Sequence, residues 1–258
     1  MSSRSELLVV IALAAACGRV HFEPLANDAA GGGDGNSAAT YYLVSGDTGF
    51  DADLFSVDLQ TGQLTLVGII PAAHGGLGGL ASWDANTLYG AGTELVQITL
   101  VPFTVAAVGT VLGTWSSLER DGDLLFGIDQ DAAVIGRFSP SDPGTVIGTA
   151  ALPFSMTSGG DLTQVDGVWY WFANQDRQLY TINAASQLTP VGSPDASAPF
   201  ISGMVHDDAG NIFVHSSFSD LLYPIDKTSG QLGAPITLCV ACPTVYDALS
   251  GDMTRSPY

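Results

Sequence analysis

The chain is nearly without lysine. Lys227 is the only one, and Lys and Arg together number 7 against 26 acidic residues, a formal net charge of -19. With no basic patch to neutralise a phosphate backbone, nucleic acid is not an expected partner. The acidity favours solubility and repels anionic surfaces, and it carries no information about fold. Long apolar runs are also missing. The longest is Leu7 to Ala16, ten residues, whereas a bilayer-spanning helix takes about 20. No stretch sustains apolar spacing at three and four residues, so helix should be scarce. Glutamates are few, and no "GxSxG" turn is present to hold a serine nucleophile of the Ser-His-Asp kind.

What is present begins with the first residues. A short start carrying Arg4, the apolar run and then small residues describe a secretory signal peptide over residues 1–16. Ala14-Ala15-Ala16-Cys17 resembles the lipobox of bacterial lipoproteins, in which the cysteine is lipidated and becomes the new first residue. That resemblance implies an outer-membrane or surface lipoprotein of the bacterial cell envelope, facing the periplasm or the exterior and touching the membrane through its lipid anchor only. The plainer alternative is an ordinary signal peptide cut near Ala16, with Cys17 incidental. Residues 17–39 then read as the lipidated Cys17 and a flexible tether. "NDAAGGGDGNSAA" has no apolar set to bury, and about 22 such residues reach about 25 Å root-mean-square. Its glycines are not a phosphate loop, because no lysine or helix follows.

Cysteine is scarce too, with 3 in all. Setting Cys17 aside leaves Cys239 and Cys242 in "CVACP", which in an oxidising compartment most simply form a local disulfide. So small a ring stabilises by about 2 kcal/mol or less. A redox-active pair would need a helix start that Pro243 and its neighbours do not supply. Zinc would need two further ligands, and the spacing of His74, His206 and His215 does not suggest them.

The remaining chain repeats itself. "LFSVDLQTGQLTLVG", "LVQITLVPFTVAAVG", "IGRFSPSDPGTVIG", "LYTINAASQLTPVG" and "LYPIDKTSGQLGAP" start at Leu54, Leu95, Ile135, Leu179 and Leu222, 40 to 44 residues apart. Val57, Ile98, Phe138, Ile182 and Ile225 form a second apolar column. Asp58, Thr99, Ser139, Asn183 and Asp226 follow as short polar turn openers. Upstream, Leu80, Leu118, Leu162 and Met204 each open a strand closed by a polar turn, and a second strand then carries Tyr89, Phe126, Tyr170 or Phe213. Asp121-Gly122, Asp166-Gly167 and Ala209-Gly210 suit tight hairpins, since glycine accepts positive φ freely. The unit is four short antiparallel strands in about 43 residues, the pattern of a β-propeller blade. Stacking such sheets in a ring covers faces that a lone sheet would expose.

The plan resembles NHL- and YVTN-type propeller repeats, most closely in "SGMVHDDAGNIFVHSSFSDLLYPIDKTSGQL", Ser202 to Leu232. The resemblance implies an all-β fold and no particular activity. About 215 residues at about 43 per blade predict a five-bladed β-propeller over residues 40–254, with 255–258 as a tail. "TYYLVSG" reads as a second strand without a first, and "VYDALSGDM" as a first strand without a second. The first blade is therefore expected to be closed by N- and C-terminal strands, with Val245 to Gly251 innermost, then strands near Thr40, Leu54 and Leu64.

Ligands of propellers sit at one mouth of the central channel, near the starts of the innermost strands. Alignment places Gly78-Gly79, Ser116-Ser117, Gly160-Asp161, Ser202-Gly203 and Asp247-Ala248 there, with Trp115, Tyr246 and His74 close by. Trp115, Asp161, Ser202, Tyr246, Asp247 and His74 are the candidate ligand-binding residues. The competing reading has the aromatics packed between blades and the aspartates bonded to backbone. No cofactor and no catalytic residue is expected. A structural calcium is the one metal considered, at Asp47, Asp51 and Asp53 of "GDTGFDAD" or at Asp129 and Asp131 of "IDQDAA". Neither stretch matches a known calcium loop, and turn chemistry accounts for most of these acids. The leading expectation is a monomeric, non-catalytic propeller that binds a partner protein or glycan. The alternative is an extracellular polysaccharide hydrolase or lyase using carboxylates such as Asp161 and Asp247 in the channel, which three or more acidic side chains of raised pKa at its mouth would favour.

Overall fold

The computed structural model describes residues 39–45, 50–74, 76–152, 159–239 and 251–256. Blade 1 contains β1 (Thr40–Ser45), β2 (Ala52–Val57) and β3 (Leu64–Ile70). Blade 2 is β4 (Gly79–Asp84), β5 (Thr87–Ala91), β6 (Glu94–Thr99) and β7 (Thr104–Thr110). Blade 3 is β8 (Trp115–Asp121), β9 (Leu124–Asp129), β10 (Val134–Ser139) and β11 (Asp142–Ala151). Blade 4 is β12 (Asp161–Val165), β13 (Val168–Ala173), β14 (Gln178–Ile182) and β15 (Leu188–Val191). Blade 5 is β16 (Ile201–His206), β17 (Ile212–Ser216), β18 (Leu221–Ile225) and β19 (Ile236–Thr237). A last strand, β20 (Met253–Ser256), returns to blade 1 and pairs antiparallel with β1, Leu43 opposite Met253 and Thr40 opposite Ser256. The fold is a five-bladed β-propeller of four-stranded antiparallel blades, the first closed by strands from both ends of the domain.

The repeat columns explain why these sheets form and stack. Leu54, Leu95, Ile135, Leu179 and Leu222 are all fully buried. The polar column then turns the chain. The Asp58 carboxylate accepts the N–H groups of Gln60 (2.8 Å) and Thr61 (3.2 Å), and Asp226 does the same for Thr228 at 2.7 Å. Among the described residues there are five apolar clusters, and each straddles one seam between neighbouring blades. A buried aliphatic or aromatic side chain contributes about 1.5–3 kcal/mol, so the seams are where the ring's stability resides.

One sequence expectation is corrected here. The innermost strand of blade 1 is Met253–Ser256, not Val245 to Gly251. That strand includes Arg255 and Ser256. The register is fixed by Gly251 and Asp252. A Cβ on Gly251 would lie 1.5 Å from the Val44 carbonyl oxygen, just as one on Gly160, whose φ is +70°, would lie 1.8 Å from that of Phe172. Each glycine presses an innermost strand onto its neighbour, and each is followed by an aspartate.

Candidate functional site

The innermost strands β20, β4, β8, β12 and β16 surround the axis, each packed on the next. We call the end at which they begin the top. An innermost strand has no further strand inside it, so its inward N–H groups need other acceptors. Side chains of the preceding blade supply them. Asp252 takes the Leu80 N–H at 2.5 Å and that of Met253 at 2.6 Å. Asp161 takes the Leu162 N–H at 2.7 Å and also that of Met204 in blade 5. Thr254 Oγ1 accepts from Ser82 N at 2.9 Å.

Asp161 and Asp252 are fully buried and hydrogen-bonded to each other. Burial raises both carboxyls, and the charge of Asp161 raises Asp252 further. Their mutual hydrogen bond lowers Asp161 and raises Asp252, so the two carboxyls titrate as one unit. Lower in the channel Glu119 is half-buried; burial, with the charge of Asp161, pushes its pKa up to about 8. Thr163 Oγ1 lies 3.5 Å from Glu119 Oε1 and 3.1 Å from His206 Nδ1. Burial, helped by the charge of Arg255, pulls His206 down to about 4. Arg255 in turn pairs with Asp208 on the bottom face. Four successive blades thus contribute Glu119, Thr163, His206 and Arg255 to one polar cluster.

The residues singled out from sequence are scattered by the fold. Trp115 is not at the mouth. It is fully buried in the seam between blades 2 and 3, against Phe138 with centroids 4.8 Å apart, and its Nε1 donates to the Leu112 carbonyl at 2.9 Å. Asp161 does reach the axis, but its oxygens hold backbone. Ser202 Oγ lies 3.2 Å from Nδ1 of the fully buried His215, whose pKa burial lowers to about 4. His74 lies at the third strand of blade 2, its Nδ1 2.6 Å from Glu94 Oε1, away from the axis. Cys239 is disulfide-bonded. Tyr246, Asp247, Cys242, Cys17 and Asp47 lie outside the described residues. Asp129 and Asp131 are engaged in turn chemistry: Asp129 accepts the N–H of Asp131 at 3.0 Å, and Asp131 accepts the Thr114 hydroxyl at 2.6 Å. Asp51 accepts the Ala72 N–H at 2.7 Å. No group of three or more His, Cys, Asp or Glu among the described residues is arranged to hold a metal ion.

Sequence reasoning missed Asp252, Glu119, His206 and Arg255. For Asp252 a signal existed: "GDL" at Gly160 to Leu162 and "GDM" at Gly251 to Met253 are the same step of the repeat. A cleft of about 450 Å³ on the bottom face, between blades 3 and 4, is lined by Asp121, Arg137, Trp169, Thr181 and Asn183. Its polar groups are engaged internally, since Arg137 pairs with Asp121 at 2.6 Å and Asn183 closes its own turn.

No family model matches the chain, and no curated protein sequence matches it. Solved structures do share its shape. A protein of unknown function from Bacteroides thetaiotaomicron is 16% identical with a TM-score of 0.56, over 86% of this chain and 67% of that one. A chain of a nidogen/laminin complex is 12% identical with a TM-score of 0.56, over 84% and 98%. Virginiamycin B lyase from Staphylococcus aureus is 14% identical with a TM-score of 0.47, over 76% and 69%. At these identities the likeness is one of fold.

Proposed function

We propose that this chain is an exported, lipid-anchored β-propeller of the bacterial cell envelope that works by binding a partner protein or glycan, without catalysis. One observation carries the reading. The two carboxylates at the top of the axis, Asp161 and Asp252, are buried, and each holds two backbone N–H groups. They join blade to blade and are sealed from solvent, which turns recognition toward the loops of the two faces. Cys17 carries the lipid and the glycine-rich segment after it spaces the ring from the membrane. The expected experiment has two arms. Radiolabelled palmitate should enter the wild-type chain in a bacterial host and not a Cys17→Ser variant. The protein should retain ligands from glycan and peptide arrays while releasing no reducing ends and no unsaturated uronates from polysaccharides. Turnover abolished by Glu119→Gln would overturn the non-catalytic reading.

A second reading, an extracellular polysaccharide hydrolase or lyase, draws on one feature. Glu119, Asp161 and Asp252 all have raised pKa values, and an acid near neutrality is what general acid-base catalysis uses. Against it, two of the three are closed off from solvent.

A further inference from the structure

The top face carries large apolar side chains in the open. Phe218, in the turn between β17 and β18, is 72% exposed, and Phe200, just before β16, is 39% exposed. Their rings meet edge to face, centroids 5.9 Å apart. Arg177, from the β13–β14 hairpin of the preceding blade, sets its guanidinium 5.9 Å from the Phe200 centroid. Phe50 (70% exposed) in the β1–β2 connection and Leu112 (58%) between β7 and β8 stand at the same end. Contiguous exposed aromatics of this kind mark interaction sites.

This ledge is built on a fixed base. The Phe200 carbonyl accepts the Ser217 N–H at 2.7 Å. The next residue, Ile201, is clamped by the buried Asn174, whose Oδ1 accepts its N–H and whose Nδ2 donates to its carbonyl, both at 2.7 Å. Arg177 Nη1 is tied to the Ala196 carbonyl at 2.7 Å. A surface already ordered loses little entropy on binding.

Charge names the occupant. Among the described top loops Asp51 and Asp131 are exposed, and the one arginine there, Arg177, lies over Phe200 and donates to the Ala196 carbonyl. Arg120, Arg137, Lys227 and Arg255 all lie toward the bottom. With a net charge of -19, the field steers cations inward and anions away. We infer that the Phe200–Phe218 ledge is the docking point for a cationic polypeptide segment. One apolar or aromatic side chain of that segment seats on the rings while its lysines or arginines meet the exposed acids of the top loops, Asp51 and Asp131. This rests on the binding function proposed above and chooses protein over glycan.

The test is fluorescence anisotropy on the full chain with three labelled peptides: alternating Arg and Trp, alternating Arg and Ser, and alternating Glu and Trp. The Arg/Trp peptide should bind, more weakly as salt rises. It should lose about tenfold or more in affinity to a Phe200→Ser/Phe218→Ser variant. A Val101→Ser variant, altered at a 77% exposed position of the bottom face, should bind as wild type, and all three proteins should melt alike. Binding of Arg/Ser as tight as Arg/Trp, binding of Glu/Trp, or indifference to the double variant would each overturn the inference. A panel of neutral oligosaccharides separates the two levels. An oligosaccharide that binds while all three peptides fail removes this inference and leaves the binding function standing. Failure of every ligand together with polysaccharide turnover removes both.

Discussion

The two ends of the propeller axis are held by different chemistry. At the top, Asp161 and Asp252 are dry and bond to backbone amides of the next blade. At the bottom, charged side chains meet on a wet surface: Arg255 with Asp208, whose side chain is 64% exposed, Arg137 with Asp121, and Arg120 with the Trp83 carbonyl. The difference teaches which contacts decide ring closure. A buried carboxylate that leaves two N–H groups orphaned when removed is expensive to lose, whereas an exposed ion pair contributes little.

That contrast can be broken by removing the top first. A chain ending at Pro243 lacks β20 and Asp252, and should lose cooperative thermal unfolding by circular dichroism while staying soluble. An unchanged melting curve would mean that the ring does not need its last strand. Next, Asp252→Ala orphans Leu80 N and Met253 N and unpairs Asp161. A buried donor left unpaired costs about 1–3 kcal/mol, and two of them, at roughly 2–4 °C per kcal/mol for a domain of this size, make a drop of about 10 °C in Tm.

The pH dependence sharpens the same point. Glu119, Asp161 and Asp252 have pKa values raised in the folded state, so the stability they contribute is full below the unfolded value near 4 and is lost as pH rises through the folded values, to about 8 for Glu119. His206 and His215 are lowered to about 4, so theirs grows between about pH 4 and 6.5 and is then constant. The two effects oppose each other up to about pH 6.5, and above it only the carboxyls still titrate. Tm should therefore fall from about pH 6.5 to about pH 8.5, and Glu119→Gln should flatten that fall. The smallest effect belongs to the bottom: Asp208→Ala, breaking an exposed pair, should change stability by about 1 kcal/mol or less in denaturant titrations.

Much of the ring was legible because burial in a blade is periodic. Leu54 and its four counterparts are sealed within seams, and sealing selects apolar residues at a fixed step. The closing strand was harder to place. "MTRS" holds a single apolar residue, Met253, so no alternation marks it; glycine contact and a carboxylate bond place it instead. "VYDAL", with more apolar residues, drew the expectation toward Val245. Trp115 carried two readings for another reason. Spacing puts it beside the mouth, but whether an indole turns outward or into a seam depends on the cavity its neighbours leave, here beside Phe138. The Glu119–Thr163–His206–Arg255 cluster had no local signal, because its members come from four different blades and meet only around the axis.

The pairing of Leu43 with Met253 has a consequence for how the molecule is born. A ribosome delivers β1 long before β20, so until β20 emerges the inner rim of the first sheet has no mate. Such a bare rim invites pairing with a neighbouring chain. A chain with this layout gains from being held unfolded until both halves of the clasp have been made.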